Sequence, residues 1–154
     1  MLWALPWARA AHVAAVVLWI GGVGFVTTVL MRSIRRDHPP TRRLAAFLRL
    51  EGLFSWQARL TVALVGATGL WMVQAFGLWD RFRHAGFWWM HAMVLTWALF
   101  ALMLYLAEPL FLHGALERAR RPDRAFRLLE AVHWALLILS LVTVVGAVAG
   151  AHGA

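Results

Sequence analysis

A chain of 154 residues that is 62% hydrophobic and only 14% charged has too little polar surface to coat a water-soluble globule, so it is read as an integral membrane protein. Its formal net charge of +8 rests on arginine alone, since the sequence holds no lysine. The absence of cysteine excludes disulfides and thiolate metal sites, so any metal must be met by histidine, methionine, carboxylate or a cofactor.

Crossing about 30 Å of hydrocarbon takes a helix of about 20 apolar residues. Four stretches qualify, about 10–31, 54–76, 86–107 and 128–149. None alternates with period two, which argues against a β-barrel. The expected fold is an all-α integral membrane four-helix bundle, with residues 1–154 as one transmembrane domain. Met1 to Arg9 has no basic run ahead of its apolar part and no cleavage site follows, so the first span is expected to be retained.

Between spans one and two, Asp37, His38, Pro39, Pro40 and Thr41 break the helix, with Thr41 placed to cap the next one. From Thr41 to Leu53, the residues Leu44, Phe47, Leu48 and Leu50 oppose Arg42, Arg43 and Arg49, the pattern of an interfacial helix leading into span two. The connection from Gly77 to Ala85 is short, which makes spans two and three antiparallel neighbours. Pro109 is expected to end or kink span three, with Leu110 to Arg121 as the alternative extension of it into the cytoplasm, and Pro122 with Asp123 turns the chain into span four.

Arginines cluster at 32, 35, 36, 42, 43 and 49, and again at 118, 120, 121, 124 and 127. The positive-inside rule puts both connections in the cytoplasm and both termini on the outer side. Trp3, Trp7, Trp79, Trp88 and Trp89 then form an outer aromatic belt, with Trp56 and Trp134 near the inner boundary. Juxtamembrane arginine is topological, so no nucleic-acid partner is expected; the bilayer is the expected partner. Arginine without lysine suggests a GC-rich bacterial genome, and hence a multi-pass protein of the bacterial cytoplasmic (inner) membrane.

An ionisable ring within a span marks a site by default. His12 lies three residues, roughly 5 Å, below Arg9, and His91 lies about 7 Å beyond Gly86, so the two share a level. Two imidazoles facing each other across a bundle suit the iron of a haem, which also needs space for its ring and cations for its propionates. Gly21, Gly22 and Gly24 remove bulk in span one, and Arg9, with Arg81 or Arg83, is placed to meet a propionate. Close helix packing is the alternative use of these glycines, and hydrogen bonding to a nearby backbone the alternative use of either histidine.

Met90, His91 and Met93 offer thioether and imidazole donors for Cu(I) as an alternative. A third possibility is a cofactor-free small subunit of a membrane complex whose histidines only pack. His133 enters from the opposite face and is a poor ligand for the same metal. It shares a helix face with Glu130, either as a proton relay or beside an Arg59 to Glu130 ion pair. Glu108, His38 and His113 are expected to be solvated, and His84 and His152 to lie at the outer surface without a partner.

These residues carry a resemblance. Arg9, Ala10, Ala11, His12, Val16, Val17, Trp19 and Gly22 resemble the first-span pattern of the membrane protoporphyrinogen oxidase family called HemJ and of the wider CopD-like group of membrane proteins. Gly86, Trp89 and His91 in span three, and Phe126, Arg127, Leu129, Glu130 and Ala131 in span four, are similar to further motifs of that family. Met93 stands where the family carries a lysine, and His133 near an expected proline. The resemblance implies haem b bound by His12 and His91, with porphyrinogen oxidation and electrons passed to the quinone pool. With those departures, a diverged haem protein serving electron transfer, as a small subunit of a larger redox complex or as a homo-oligomer, fits the residues equally well.

Overall fold

The computed structural model describes residues 4–151, the side chains of residues 4, 5, 53, 111–113, 117 and 151 apart. The expectations for Trp3, His152 and the His113 side chain lie outside the described residues. Four helices are long and apolar enough to cross a membrane: Pro6–Asp37, Phe54–Ala75, Ala85–Leu110 and Pro122–Gly150. Each covers a stretch expected from hydropathy.

The first span is α1 (Ala4–Phe25), a π-helical turn (Val26–Leu30) and α2 (Met31–Asp37). Thr27 and Thr28 donate their hydroxyls to the Val23 and Gly24 carbonyls, each at 2.7 Å. Such bonds crowd the carbonyls of the ordinary ladder. Here the next ladder bond runs from the Met31 amide to the Val26 carbonyl, five residues back. The helix ends at Asp37, followed by His38 in extended conformation. α3 begins with Pro40 in its first turn, where a missing N–H costs nothing. Thr41 is not the cap: the extended Pro39 precedes the helix, with no side-chain cap.

α3 (Pro40–Ala75) is one uninterrupted helix of 36 residues. Its first turns lead directly into span two, as expected, but their apolar face meets protein and not the membrane interface. Leu44 and Phe47 are buried with Met31, Ile34, Phe126 and Leu129 in a core at the arginine-rich end. Gly77, the one described residue with left-handed backbone (φ 63), lets the chain leave α3 for two short 3-10 turns, Leu78–Arg83 and Ala85–Phe87. α4 (Trp88–Leu102) passes into a π-helical segment (Met103–Leu112) and then α5 (His113–Glu117). Pro109 sits inside that segment and does not end the helix. Proline has no N–H to give, and a ladder shifted by one residue accommodates the gap. α6 (Pro122–Ala151) is the fourth span.

α1 packs chiefly on α3, α4 on α6, and α3 touches α6 across the bundle. A second core holds Ala15, Trp19, Val62, Val65, Phe100 and Leu136 at mid-height. Residues such as Val17, Leu70, Leu95 and Val145 face outward and are exposed, the arrangement expected where lipid replaces water.

Large rings seat on glycines at the close helix contacts. A Cβ at Gly150 would lie 2.1 Å from the Trp89 ring, one at Gly146 2.4 Å from Trp88, and one at Gly66 2.5 Å from Trp97. Trp97 also donates its indole N–H to the Val62 carbonyl at 2.9 Å. Trp89 is therefore a core residue and not part of an aromatic belt, whereas Trp7, Trp56, Trp79, Trp88 and Trp134 are exposed.

Candidate functional site

His12 faces α3. Its Nδ1 lies 2.8 Å from the Thr68 hydroxyl oxygen, and that hydroxyl lies 2.5 Å from the Leu64 carbonyl of its own helix. A hydroxyl has one proton and a carbonyl can only accept, so Thr68 donates to Leu64 and accepts from His12. This fixes the ring as the Nδ1–H tautomer and leaves Nε2 with its lone pair. Gly69 completes the seat, because a Cβ there would stand 3.3 Å from the imidazole Cε1. One turn toward the chain terminus, the Arg9 guanidinium lies over the Phe76 ring, 5.0 Å from its centre.

His91 is held differently. Its Nε2 donates to the Phe82 carbonyl at 3.0 Å, in the 3-10 turn that follows α3, and the Phe82 ring stands edge-on to the imidazole at 5.4 Å. Its Nδ1 is 3.4 Å from the Phe87 carbonyl one turn back. Arg81 lies over the Phe87 ring, and Arg83 pairs with Asp80 at 3.8 Å. No described contact joins His12 to His91.

These residues fit a haem iron unequally. His12 has the Nδ1–H hydrogen bond that orients an axial ligand, and the tautomer this sets leaves a lone pair on Nε2. His91 has a matching i−4 carbonyl for its Nδ1, but its Nε2 is engaged by Phe82. The glycines expected to make room lie elsewhere: Gly22 seats Phe54, at 2.7 Å from an added Cβ, Gly24 faces Leu137, and Gly21 is open. Trp19, two turns below His12 and stacked edge-on to Phe100 at 4.8 Å, has a buried indole N–H with no described acceptor. Met90 is buried and Met93 half-buried. Among the described residues no three His, Cys, Asp or Glu side chains gather as a metal ligand set.

The polar groups near the arginine-rich end pair otherwise than expected. Arg59 meets Glu108 at 3.2 Å, not Glu130, and its Nε donates to the Leu104 carbonyl at 3.1 Å. Glu108 also accepts from Ser55 at 2.7 Å, so it is bound within the bundle and not simply solvated. Glu130 pairs with Arg35. His133 donates Nδ1–H to the Leu129 carbonyl at 2.8 Å and stands against Phe47. His84 has a partner in Asp80, at 3.2 Å.

The residues the sequence missed are Thr68 and Gly69. Neither type signals a site alone, and only their position opposite His12 gives them a role.

Compared with family models, with curated proteins and with solved structures, the chain matches none. The resemblance to HemJ and the CopD-like group thus stands on the quoted residues. What stands without it is an all-α membrane protein with four apolar helices long enough to span.

Proposed function

We propose that this chain is a haem b-binding electron-transfer protein of the bacterial cytoplasmic membrane, with His12 and His91 as axial ligands and Arg9 beside a propionate. The observation that carries the reading is the Thr68 hydroxyl on His12 Nδ1, which leaves Nε2 as a ready donor. His91 would serve as the second ligand once its Nε2 left the Phe82 carbonyl and the ring proton passed to Nδ1, which faces the Phe87 carbonyl. A haem held there supplies one-electron redox chemistry within the membrane, for exchange with the quinone pool or a larger redox complex. Porphyrinogen oxidation rests on the resemblance alone. The arginine-rich end is assigned to the cytoplasm by the positive-inside rule.

The test is the absorption spectrum of detergent-purified protein before and after dithionite, with copper measured alongside. A Soret band and a sharp alpha band are expected, and no stoichiometric copper. His12→Ala and His91→Ala each convert or remove the low-spin spectrum, while His133→Ala retains it. The reading fails if the protein takes up no haem when haem is supplied, or if His133→Ala does what His12→Ala is expected to do.

A further inference from the structure

At the arginine-rich end, the first turns of α3 and the segment from α5 to α6 enclose an open groove of about 640 Å³. Leu44, Ala45, Leu48 and Arg49 line one side, Leu116 and Ala119 the other. Leu48, Leu116 and Ala119 also pack on the core beneath, so the floor is apolar and fixed.

The rim is cationic. Arg49 lines one wall and Arg42 directly follows the lining Thr41, while Arg120 and Arg121 lie between the lining Ala119 and Pro122 on the other; all four are exposed. Three described carboxylates of this end are engaged elsewhere: Asp123 holds Arg43 and Arg127, Glu130 holds Arg35, and Asp37 holds Arg36. The side chains of Arg42, Arg49, Arg120 and Arg121 have no hydrogen bond or ion pair among the described residues. Charge complementarity therefore selects an anion, and the apolar floor selects one with a hydrocarbon tail.

We infer that this groove binds an anionic phospholipid, with an acyl chain along Leu44, Leu48 and Leu116 and the phosphate among Arg42, Arg49, Arg120 and Arg121. Guanidinium meets phosphate oxygens through paired N–H donors, and clusters of basic residues beside spans draw acidic lipids. The binding needs no haem, so it stands apart from the function proposed above.

The experiment is native mass spectrometry of the purified full chain given equal amounts of phosphatidylglycerol and phosphatidylcholine with identical tails. Phosphatidylglycerol is expected to be retained at least about fivefold over phosphatidylcholine. The double variant Arg49→Gln, Arg121→Gln should lose that preference, and Ala45→Trp should lower retention by filling the groove without changing charge. Arg83→Gln, at the other end of the bundle, should leave it unchanged. Inorganic phosphate, having no tail, should not displace the lipid. Equal retention of the two lipids by the unaltered chain overturns the inference, a result that needs no variant to fold. So does an equal loss in Arg83→Gln, or displacement by phosphate.

Discussion

Thr68 acts on His12 through one hydrogen bond, so the two can be separated by substitution. Thr68→Val keeps the shape of the side chain and removes the acceptor. The imidazole then loses what fixes its tautomer and its ring angle. Loss of such an orienting partner typically costs 10- to 100-fold in affinity for the bound metal. The expected result is a low-spin haem spectrum at reduced occupancy with an altered reduction potential, while Thr68→Ser restores both. Potentiometric titration in detergent checks it. Unchanged occupancy and potential in Thr68→Val would show that the contact with His12 only packs.

At the scale of elements, the joints between helices are rings set on glycines, and their exposure ranks them. An added methyl at Gly150 meets Trp89, which is buried, so the ring has nowhere to retreat. The same methyl at Gly146 meets Trp88, whose ring is 52% exposed and can swing outward. Overpacking a close-fitted contact costs about 1–3 kcal/mol. Gly150→Ala should fall in that range and Gly146→Ala below it, as read from thermal unfolding of the solubilised protein. An equal effect at both would mean that the Trp89 socket is not rigid.

The elements also show what a linear chain reveals. Hydrophobic length is counted along the sequence, so the four spans and the Pro39–Pro40 break were legible. Leu44, Phe47 and Arg43 form the same amphipathic pattern whether the apolar face meets lipid or protein, so the burial of α3's first turns was not. Pairing depends on how each helix is rotated against its neighbours. Arg59 with Glu108, Arg35 with Glu130 and His12 with Thr68 therefore needed three dimensions. His12 was visible as an ionisable ring in an apolar run; Thr68 and Gly69 were not, because small residues are common in spans for packing alone.

At the scale of the whole molecule, charge is divided between the two ends. The arginine-rich connections meet at one end through Arg35 with Glu130 and Arg43 with Asp123. The turn from Gly77 to Phe87 lies at the other, with Arg9 on Phe76 and Trp89 on Gly150. A C-terminal reporter that is active only in the cytoplasm should therefore be silent, and one inserted between Arg120 and Arg121 active. The reverse result would invert the protein in the membrane and put His12 near the cytoplasmic face.

The unbroken course of α3 has a mechanical meaning. At 1.5 Å per residue its 36 residues make a rod of about 54 Å, far longer than the hydrocarbon layer. Thr68 and Gly69 ride toward one tip, Arg42 and Leu44 toward the other. A rigid rod that pivots about its middle by about 5° swings its tips by roughly 2 Å in opposite directions. One element thus carries both the seat of His12 and the arginine-rich wall.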